Sequence, residues 1–424
     1  LFSVKNESPL VISEGNEGLY IASDVLALGI DATKIYYPKN KELICLGTKG
    51  IKIYSTNTIH TSTMTKLKNI KGDQIDYQIN SNQTMNVGKG DHSSFMEKEI
   101  REQVPLFKSF CFKGINGITE DFSKINFKSL KKISIVACGT SFYAASVAKY
   151  WLEKYAHLNV EIDIASEYRY RSPIINNNEL AVFVSQSGET ADTLAALHYA
   201  KSKHCQTMGL VNVLTSTIAR DVDFVHEIHA GPEIGVASTK AFTCQLAMFY
   251  KMMLEAVKQR STGNTKTLEQ LQKDFLKLPD SIDSIISRSV EVKSLARCLI
   301  AYDNMLFIGR GTIAPIAREG ALKLKEVSYL HAEAYAAGEL KHGPIALLDE
   351  NMPVLVIAPK NELTDKLLSN IQEVQARNAP LFVIGDSSIR EYINLQEDEF
   401  FELPPMPESI LPIISAIPMQ LLAL

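Results

Sequence analysis

Residues 180–193 read LAVFVSQSGETADT, an apolar run that gives way to polar side chains just where a helix-forming segment begins. The run 180–184 has the continuous apolar, β-branched character of a strand buried on both faces, and a helix is predicted from Ala191 onward. The turn between them holds Ser185, Gln186, Ser187 and Thr190. Free backbone N–H groups and the positive end of the helix dipole favour an anion at such a turn, so the pattern predicts a phosphate-binding site.

A second turn of the same kind lies earlier in the chain. Residues 133–137 form another predicted buried strand, and the segment 142–155 is a predicted helix. Between them lie Cys138, Gly139, Thr140 and Ser141. The alternative for either turn is that its hydroxyls only cap a helix, since Ser and Thr are favoured there in any protein. Ligands collect at the carboxyl ends of adjacent parallel strands, however, so the pair of turns favours one phosphate held from two sides.

Composition narrows the class of protein. The 424 residues carry a formal charge of −4, with 46% hydrophobic and 22% charged residues, which suits two or three globular domains. This charge gives no basic footprint for nucleic acid, and no run of ~18 apolar residues or signal segment indicates a membrane. The six cysteines have no CxxC or metal-like spacing. We expect a cytoplasmic protein with reduced thiols, no metal site and no cofactor.

The chain divides into four predicted segments. They are a β-rich segment (1–75), a linker with one helix (76–120), a first α/β domain (121–262) and a second α/β domain (287–424). In the first α/β domain we predict strands near 133–137, 159–164, 180–184, 207–213 and 224–228, then a helix over 237–258. The polar segment 258–266 is a predicted connection, after which the same strand–helix order returns at 305–309, 311–327, 353–358, 361–377 and 381–385. This recurrence indicates an internal duplication.

The second copy carries acid–base side chains instead of hydroxyl turns. They lie in ALKLKEVSYLHAEAYAAGELKHGP, residues 321–344. Lys323 and Glu326 are three apart on a predicted helix and share a face, although such a pair is also typical of a solvated salt bridge. His342 precedes Gly343 and Pro344, which predict a turn. A lysine, a carboxylate and an imidazole beside a phosphate site can open a sugar ring and move a proton between neighbouring carbons.

Six segments together carry a resemblance to a known family. They are ACGTSFYAA (137–145), ASEYRYR (165–171), SQSGETADTLAAL (185–197), EIGVASTKAFTCQL (233–246), GRG (309–311) and EGALKLKEVSYLHAEAYAAGELKHGPIALL (319–348). In combination they resemble the glutamine–fructose-6-phosphate aminotransferase (isomerizing) family, and the likeness runs through nearly all of residues 1–424. It implies part of an Ntn-hydrolase glutaminase domain followed by two tandem SIS domains, each a doubly wound parallel sheet flanked by helices. Family members use glutamine-derived ammonia to convert fructose 6-phosphate into glucosamine 6-phosphate.

The resemblance also implies roles for individual residues. The phosphate and sugar would be held by Cys138 (through its backbone), Gly139, Thr140, Ser141, Ser185, Gln186, Ser187, Thr190, Val236, Ala237 and Ser238. Glu233 would order the loop that follows it. Glu326 would shuttle a proton between C1 and C2, with Lys323 positioning the substrate hydroxyls. His342 would open the ring from the neighbouring subunit, which implies a homodimer.

The chain departs from the family pattern at both ends. The glutaminase of the family needs a cysteine nucleophile at the very N-terminus, whereas this sequence begins at Leu1 and resembles only the latter part of that domain. At the other end it stops at QLLAL, before a tail that in the family carries a lysine able to form a Schiff base with the sugar. We therefore expect no glutamine hydrolysis, and ammonia-dependent synthesis or isomerisation in weakened form. The alternative is a non-catalytic or weakly active phosphosugar-binding fragment. A single-domain ketose–aldose isomerase fits less well, because the α/β domain is duplicated.

Overall fold

The computed structural model describes residues 1–5, 10–15, 18–23, 25–28, 32–39, 42–47, 50–55, 68–70, 78–79, 88–112, 122–176, 178–263 and 265–424. The chain forms two compact units, Leu1–Gly88 and Lys89–Leu424.

The first unit is built from short antiparallel strands. They are β1 (Phe2–Val4), β2 (Val11–Gly15), β3 (Gly18–Ala22), β4 (Ala32–Tyr36), β5 (Glu42–Gly47), β6 (Gly50–Ser55), β7 (Lys68–Ile70) and β8 (Gln78–Ile79), with a 3₁₀ helix at Val25–Leu28. They form two four-stranded sheets, in the orders β1-β5-β6-β7 and β3-β2-β4-β8. Ile12 and Tyr36 from one sheet join Ile44 and Ile53 from the other in one apolar cluster. The predicted β-rich N-terminal region is confirmed.

The second unit begins with a helix and a parallel sheet. The helices are α1 (Phe95–Phe112), α2 (Gly139–Ala156), α3 (Ala165–Tyr168), α4 (Ala191–Ser202), α5 (Thr217–Asp221) and α6 (Lys240–Arg260). The strands are β9 (Lys132–Ala137), β10 (Asn159–Ile164), β11 (Glu179–Ser185), β12 (Gln206–Val211) and β13 (Phe224–Glu227). All are parallel, in the order β10-β9-β11-β12-β13. This is the doubly wound arrangement, with helices on both faces.

Three further helices separate the two sheets. They are α7 (Thr265–Phe275), α8 (Leu278–Ser287) and α9 (Ser289–Leu299). The prediction of only a polar connection after residue 258 was therefore incomplete. The helices present polar residues to solvent and bury apolar ones such as Leu271, Phe275, Ile282 and Leu295 at helical spacing. Their high polar content hid that periodicity.

A second parallel sheet repeats the first. Its strands are β14 (Asn304–Gly309), β15 (His331–Ala336), β16 (Val354–Ala358), β17 (Leu381–Gly385) and β18 (Phe400–Glu402), in the order β15-β14-β16-β17-β18. Its helices are α10 (Ala314–Ser328), α11 (Thr364–Gln375) and α12 (Leu411–Ala423). Short 3₁₀ helices lie at Gly311–Ile313, Ala337–His342, Pro344–Leu347, Ser387–Glu391, Glu397–Glu399 and Glu408–Ile410. The two predicted tandem α/β domains are confirmed.

The two sheets share one apolar core. Helix α2 packs on α6 and on α10, and α10 packs on α12. Residues of both sheets and of these helices belong to a single buried cluster, which includes Trp151, Phe249 and Phe307. Removal of this apolar surface from water is the main contribution to the stability of the fold. It also holds α2 of the first domain next to α10 of the second.

Candidate active site

The strand order places the two hydroxyl-rich turns side by side. Chain order reverses between β9 and β11, which pair directly, and ligands bind outside the carboxyl ends of strands at such a switch point. Both turns begin there, one after Ala137 and the other at Ser185. The predicted neighbourhood of the two turns follows from this topology.

Hydrogen bonds within the turn after β11 fix its hydroxyls. Ser185 Oγ lies 2.9 Å from Thr190 Oγ1, and the Gly188 N–H donates to Ser185 Oγ over 3.0 Å. Thr190 is the N-cap residue of α4, yet its side chain makes no capping hydrogen bond. A helix-cap role alone is therefore wrong for Thr190. Gly188 has φ of 66°, and an added Cβ would lie 2.0 Å from Ser216 Oγ, so only glycine fits this position.

The turn after β9 enters its helix earlier than predicted. Helix α2 begins at Gly139 and not at residue 142, because Gly139 has φ of 51° and turns the chain directly out of the strand. Thr140 and Ser141 therefore lie in the first helical turn, where backbone N–H groups lack partners within the helix. Gln245 of α6 donates to Ser141 Oγ over 2.9 Å and holds that hydroxyl in place.

Leucine and arginine side chains lie at the corresponding turns of the second domain. A Cβ at Gly311 would lie 2.8 Å from Leu363 Cδ1, and the Arg310 guanidinium donates to Asn370 Oδ1 over 3.0 Å. Leucine and arginine therefore occupy the place that hydroxyls line in the first domain.

Helix α10 presents three ionisable side chains on one face. Lys323 is buried, with 1% of its side chain exposed, and its ammonium donates to Glu326 and lies 3.6 Å from Glu319 Oε1. The alternative of a solvated salt bridge is therefore wrong for Lys323. Glu326 keeps 34% of its side chain exposed. The set joins a buried cation to one buried and one accessible carboxyl group.

Glu319 links this helix to the first domain. The Thr140 hydroxyl donates to Glu319 Oε1 over 3.2 Å. Burial raises the pKa of the Glu319 carboxyl to about 8, although the Lys323 charge and the Thr140 hydrogen bond act in the opposite direction. Burial therefore favours the protonated form of Glu319, and Glu326 is the accessible carboxylate that pairs with Lys323.

The segment 233–239 is ordered by the Glu233 carboxylate. It accepts hydrogen bonds from Ser238 Oγ at 3.1 Å, from the Thr239 N–H at 2.9 Å and from the Ala241 N–H at 3.1 Å. Burial raises the pKa of the Glu233 carboxyl, and these backbone hydrogen bonds oppose that effect. Ala237 is buried, whereas Val236 is 98% exposed.

His342 lies on a different element from Lys323 and Glu326. It ends the 3₁₀ helix Ala337–His342, and the next residue, Gly343, has φ of 135°. Its side chain is exposed, so the imidazole is accessible to another molecule. The predicted turn at Gly343 is confirmed, although a 3₁₀ helix and not an open loop leads into it.

Comparison with known proteins identifies the family. Residues 126–255 and 299–424 match the SIS domain family. A glutamine–fructose-6-phosphate aminotransferase (isomerizing) from Bartonella quintana is 42% identical over 428 residues, which covers 100% of this chain and 68% of the relative. This chain belongs to the glutamine–fructose-6-phosphate aminotransferase (isomerizing) family.

Further relatives agree with membership of this aminotransferase family. The relative from Bradyrhizobium diazoefficiens is 41% identical, again over 100% of this chain and 68% of its own length. The solved C-terminal domain of the Francisella tularensis glucosamine-fructose-6-phosphate aminotransferase is 38% identical, with a TM-score of 0.74, and the match covers 79% of this chain and 96% of that one. An Escherichia coli tagatose-6-phosphate ketose/aldose isomerase is 18% identical with a TM-score of 0.61, covering 78% and 91%, which shows the fold alone.

An open cleft of about 480 Å³ lies next to the candidate active site. Tyr143, Arg318, Lys325 and Glu333 line it, and Gly139 is the one predicted site residue in its described lining. The cleft is therefore lined by the start of α2, by α10 and by β15.

Other kinds of site are not found in the described part of this aminotransferase chain. Within those residues, no group of three His, Cys, Asp or Glu side chains is placed to hold a metal ion. No described helix is both long and apolar enough to cross a membrane. All six cysteines are free thiols.

Sequence reasoning missed Glu319 and Gln245. Glu319 precedes Lys323 by four residues and Glu326 by seven, so helical spacing alone places all three on one face of α10. Gln245 lies within a nearly continuous buried helix, and a polar residue in such a run is the signal that could have marked it.

Proposed function

We propose that this chain binds fructose 6-phosphate at the switch point of the first SIS domain and converts it with acid–base groups of the second. The products are glucose 6-phosphate by isomerisation and glucosamine 6-phosphate when ammonia is supplied. The observation that carries this proposal is the contact from Thr140 through Glu319 to Lys323, which joins the two halves of one site.

The phosphate group is held by the two hydroxyl turns. Ser185, Gln186, Ser187 and Thr190 act from one side, and the residues Cys138–Ser141 act from the other. Unpaired backbone N–H groups at the starts of α2 and α4 add donors, and the helix dipoles favour the doubly charged phosphate. The Ser185–Thr190 pair supports this assignment, because their mutual hydrogen bond holds both oxygens at the turn and leaves the proton of the accepting hydroxyl available for the ligand.

Proton transfer is assigned to the face of α10. Glu326 is the accessible carboxylate and moves a proton between C1 and C2 of the open-chain sugar. Lys323 is the buried donor that positions the substrate hydroxyls and stabilises negative charge that develops on their oxygens. Val236, Ala237 and Ser238 line the sugar, and Glu233 orders that segment.

Ring opening is assigned to His342 of a second copy of the chain. The exposed position of this imidazole supports such sharing, because a side chain at the surface can enter a neighbouring site. We therefore propose a homodimer. We also propose that it is located in the cytoplasm. Ammonia derived from glutamine would serve as the nitrogen donor in the full reaction.

This proposal divides the chain by role. The region 1–75 corresponds to the glutaminase part and 76–120 to a linker. The region 121–262 is the phosphate-binding SIS domain, and 287–424 is the SIS domain that supplies the catalytic side chains.

A role in binding alone is not favoured. Burying the Lys323 ammonium is costly, because its charge must be removed from water. Recognition of a phosphosugar does not need the Lys323 and Glu326 set, whereas proton transfer does.

The test is a calorimetric titration of the purified chain with fructose 6-phosphate and glucosamine 6-phosphate, followed by a product assay with ammonium chloride. Fructose without its phosphate is the matched control. We expect the phosphorylated sugars to bind and fructose to bind at least tenfold more weakly, with product formed from fructose 6-phosphate. Binding without turnover would reject the catalytic role, and equal binding of fructose would reject the phosphate assignment.

A further inference from the structure

The segment that carries Val236 is held at its N-terminal side by a residue of the linker helix. Glu99 of α1 is buried, with 2% exposure. Its Oε1 accepts the Ile234 N–H at 2.6 Å and the Gly235 N–H at 3.0 Å. Hydrogen bonds to an ionised acceptor are stronger than neutral ones, so two consecutive amides are fixed by one carboxylate.

Gly235 fits closely against this carboxylate. A Cβ at position 235 would lie 2.6 Å from Glu99 Oε2, closer than real Cβ atoms come to another heavy atom. A side chain there would push the carboxylate away from the two amides. The backbone at Gly235 and the Glu99 side chain therefore depend on each other.

Packing does not explain a glutamate at this place in α1. The face that buries Glu99 also buries Met96, Ile100, Phe107 and Phe110. Placing a carboxylate among apolar side chains costs free energy unless its oxygens are paired. Within the described residues Glu99 Oε2 accepts no hydrogen bond, so only the two amides of the 234–235 segment compensate for its burial. A neutral side chain would pack on this face at lower cost.

The exposed residue between the two anchors is Val236. Glu99 holds the backbone at 234 and 235, and Glu233 holds Ser238, Thr239 and Ala241. A short segment held on both sides has few conformations, although Val236 is 98% exposed. Preorganisation of this kind lowers the entropy lost when a ligand binds.

We propose that Glu99 is a positioning residue for the sugar phosphate. It acts through the backbone of Gly235 and fixes Val236, Ala237 and Ser238 in the conformation that meets the sugar. The inference rests on the proposed function for the role of those three residues. It assigns to the linker helix α1 an indirect part in substrate affinity.

The test compares variants of the full 424-residue chain. Glu99→Ala removes the anchor, and Glu99→Gln keeps a carbonyl that can accept both amides. Glu97→Ala is the matched control, because Glu97 lies on the same helix and, within the described residues, its side chain bonds to Ser93 and Arg101 and not to the 234–235 segment. Measurements are KM and kcat for fructose 6-phosphate and amide hydrogen exchange of residues 234–241 without ligand.

We expect Glu99→Ala to raise KM about tenfold with kcat changed less than about threefold, and to speed exchange at 234 and 235. Glu99→Gln restores KM to within about threefold of the unaltered chain. Glu97→Ala leaves KM and exchange at 234 and 235 unchanged. If Glu97→Ala raises KM as much as Glu99→Ala, general loosening of α1 explains the effect and the inference is rejected.

A second variant does not depend on the folding of α1. Gly235→Ala should raise KM by a similar factor, and adding it to Glu99→Ala should cause little further change, because the methyl group then meets no carboxylate. Fully additive effects would overturn the inference. If the unaltered chain binds no sugar phosphate, the proposed function fails, and the exchange measurement alone decides whether Glu99 holds this segment.

Discussion

The Thr140 hydroxyl donates a hydrogen bond of 3.2 Å to the Glu319 carboxyl group, which joins the first turn of α2 in one SIS domain to α10 in the other. Glu319 in turn lies 3.6 Å from the Lys323 ammonium. The hydroxyl turn and the acid–base face are thus parts of one connected arrangement. The predictions below separate the contributions of its parts.

The two halves of the site should affect binding and chemistry differently. The double variant Ser187→Ala/Thr190→Ala should weaken fructose 6-phosphate binding at least tenfold, because two hydroxyl donors to the phosphate are lost. Glu326→Gln should bind within about threefold of the unaltered chain, since its side chain is not placed at the phosphate turn. Calorimetric titration measures both, and equal losses of affinity would contradict the division of roles.

Glu319 should make stability depend on pH in a defined direction. Its folded pKa is raised from 4.5 to about 8. Its contribution to the free energy of unfolding is therefore fully present below about pH 4.5 and is lost as the pH rises through 8. Compared with Glu319→Gln, the unaltered chain should therefore lose stability between pH 4.5 and 8. Urea unfolding followed by fluorescence of Trp151, the one tryptophan, measures this difference. Parallel pH profiles for the two chains would show that Glu319 does not carry a raised pKa.

Sharing of His342 between subunits should permit complementation. A chain with His342→Ala and a chain with Glu326→Gln should each be nearly inactive alone. After subunit exchange at equal amounts, mixed dimers contain one site with both groups intact, so activity should recover to about a quarter of the unaltered level. Failure to recover, with mixed dimers verified by mass spectrometry, would exclude a site completed by the partner.

Arg260 should be important for stability and not for binding. Its guanidinium donates to the carbonyl oxygens of Ala156, Phe127 and Leu130, each at 3.0 Å. Arg260→Ala removes these three hydrogen bonds and should lower the free energy of unfolding by about 2 kcal/mol. Arg101→Ala, which removes an exposed arginine, should cost less than about 0.5 kcal/mol. Urea unfolding checks both, and similar values for the two variants would refute the assignment.

The fold could be predicted where strands are buried on both faces. The segments 180–184 and 381–385 were placed within one residue of the observed ends of β11 (Glu179–Ser185) and β17 (Leu381–Gly385), because continuous apolar runs give an unambiguous signal. The strand His331–Ala336 was missed, since HAEAYA carries alanines where the correctly predicted edge strand 159–164 carries β-branched residues, and alanine is depleted in strands. The helices at 265–299 were missed because their polar faces dominate the composition.

The candidate site could be predicted only as far as local motifs reach. Residue type and spacing within a few positions are enough to predict Ser185, Thr190 and Lys323 as site residues. Glu99 does not, because its partners at 234 and 235 are far away in sequence and are backbone amides. Contacts between side chains and distant backbone depend on the packing of helices, which a motif does not encode.

The most direct test of the account is the rate at which the purified chain interconverts fructose 6-phosphate and glucose 6-phosphate, compared with its Glu326→Gln variant at saturating substrate. Loss of a general acid–base group predicts a fall of about 10²- to 10⁴-fold, with binding retained. Interconversion by Glu326→Gln at the unaltered rate, or none by an unaltered chain that binds the sugar phosphate, would contradict the central claim that α10 supplies the proton-transfer group.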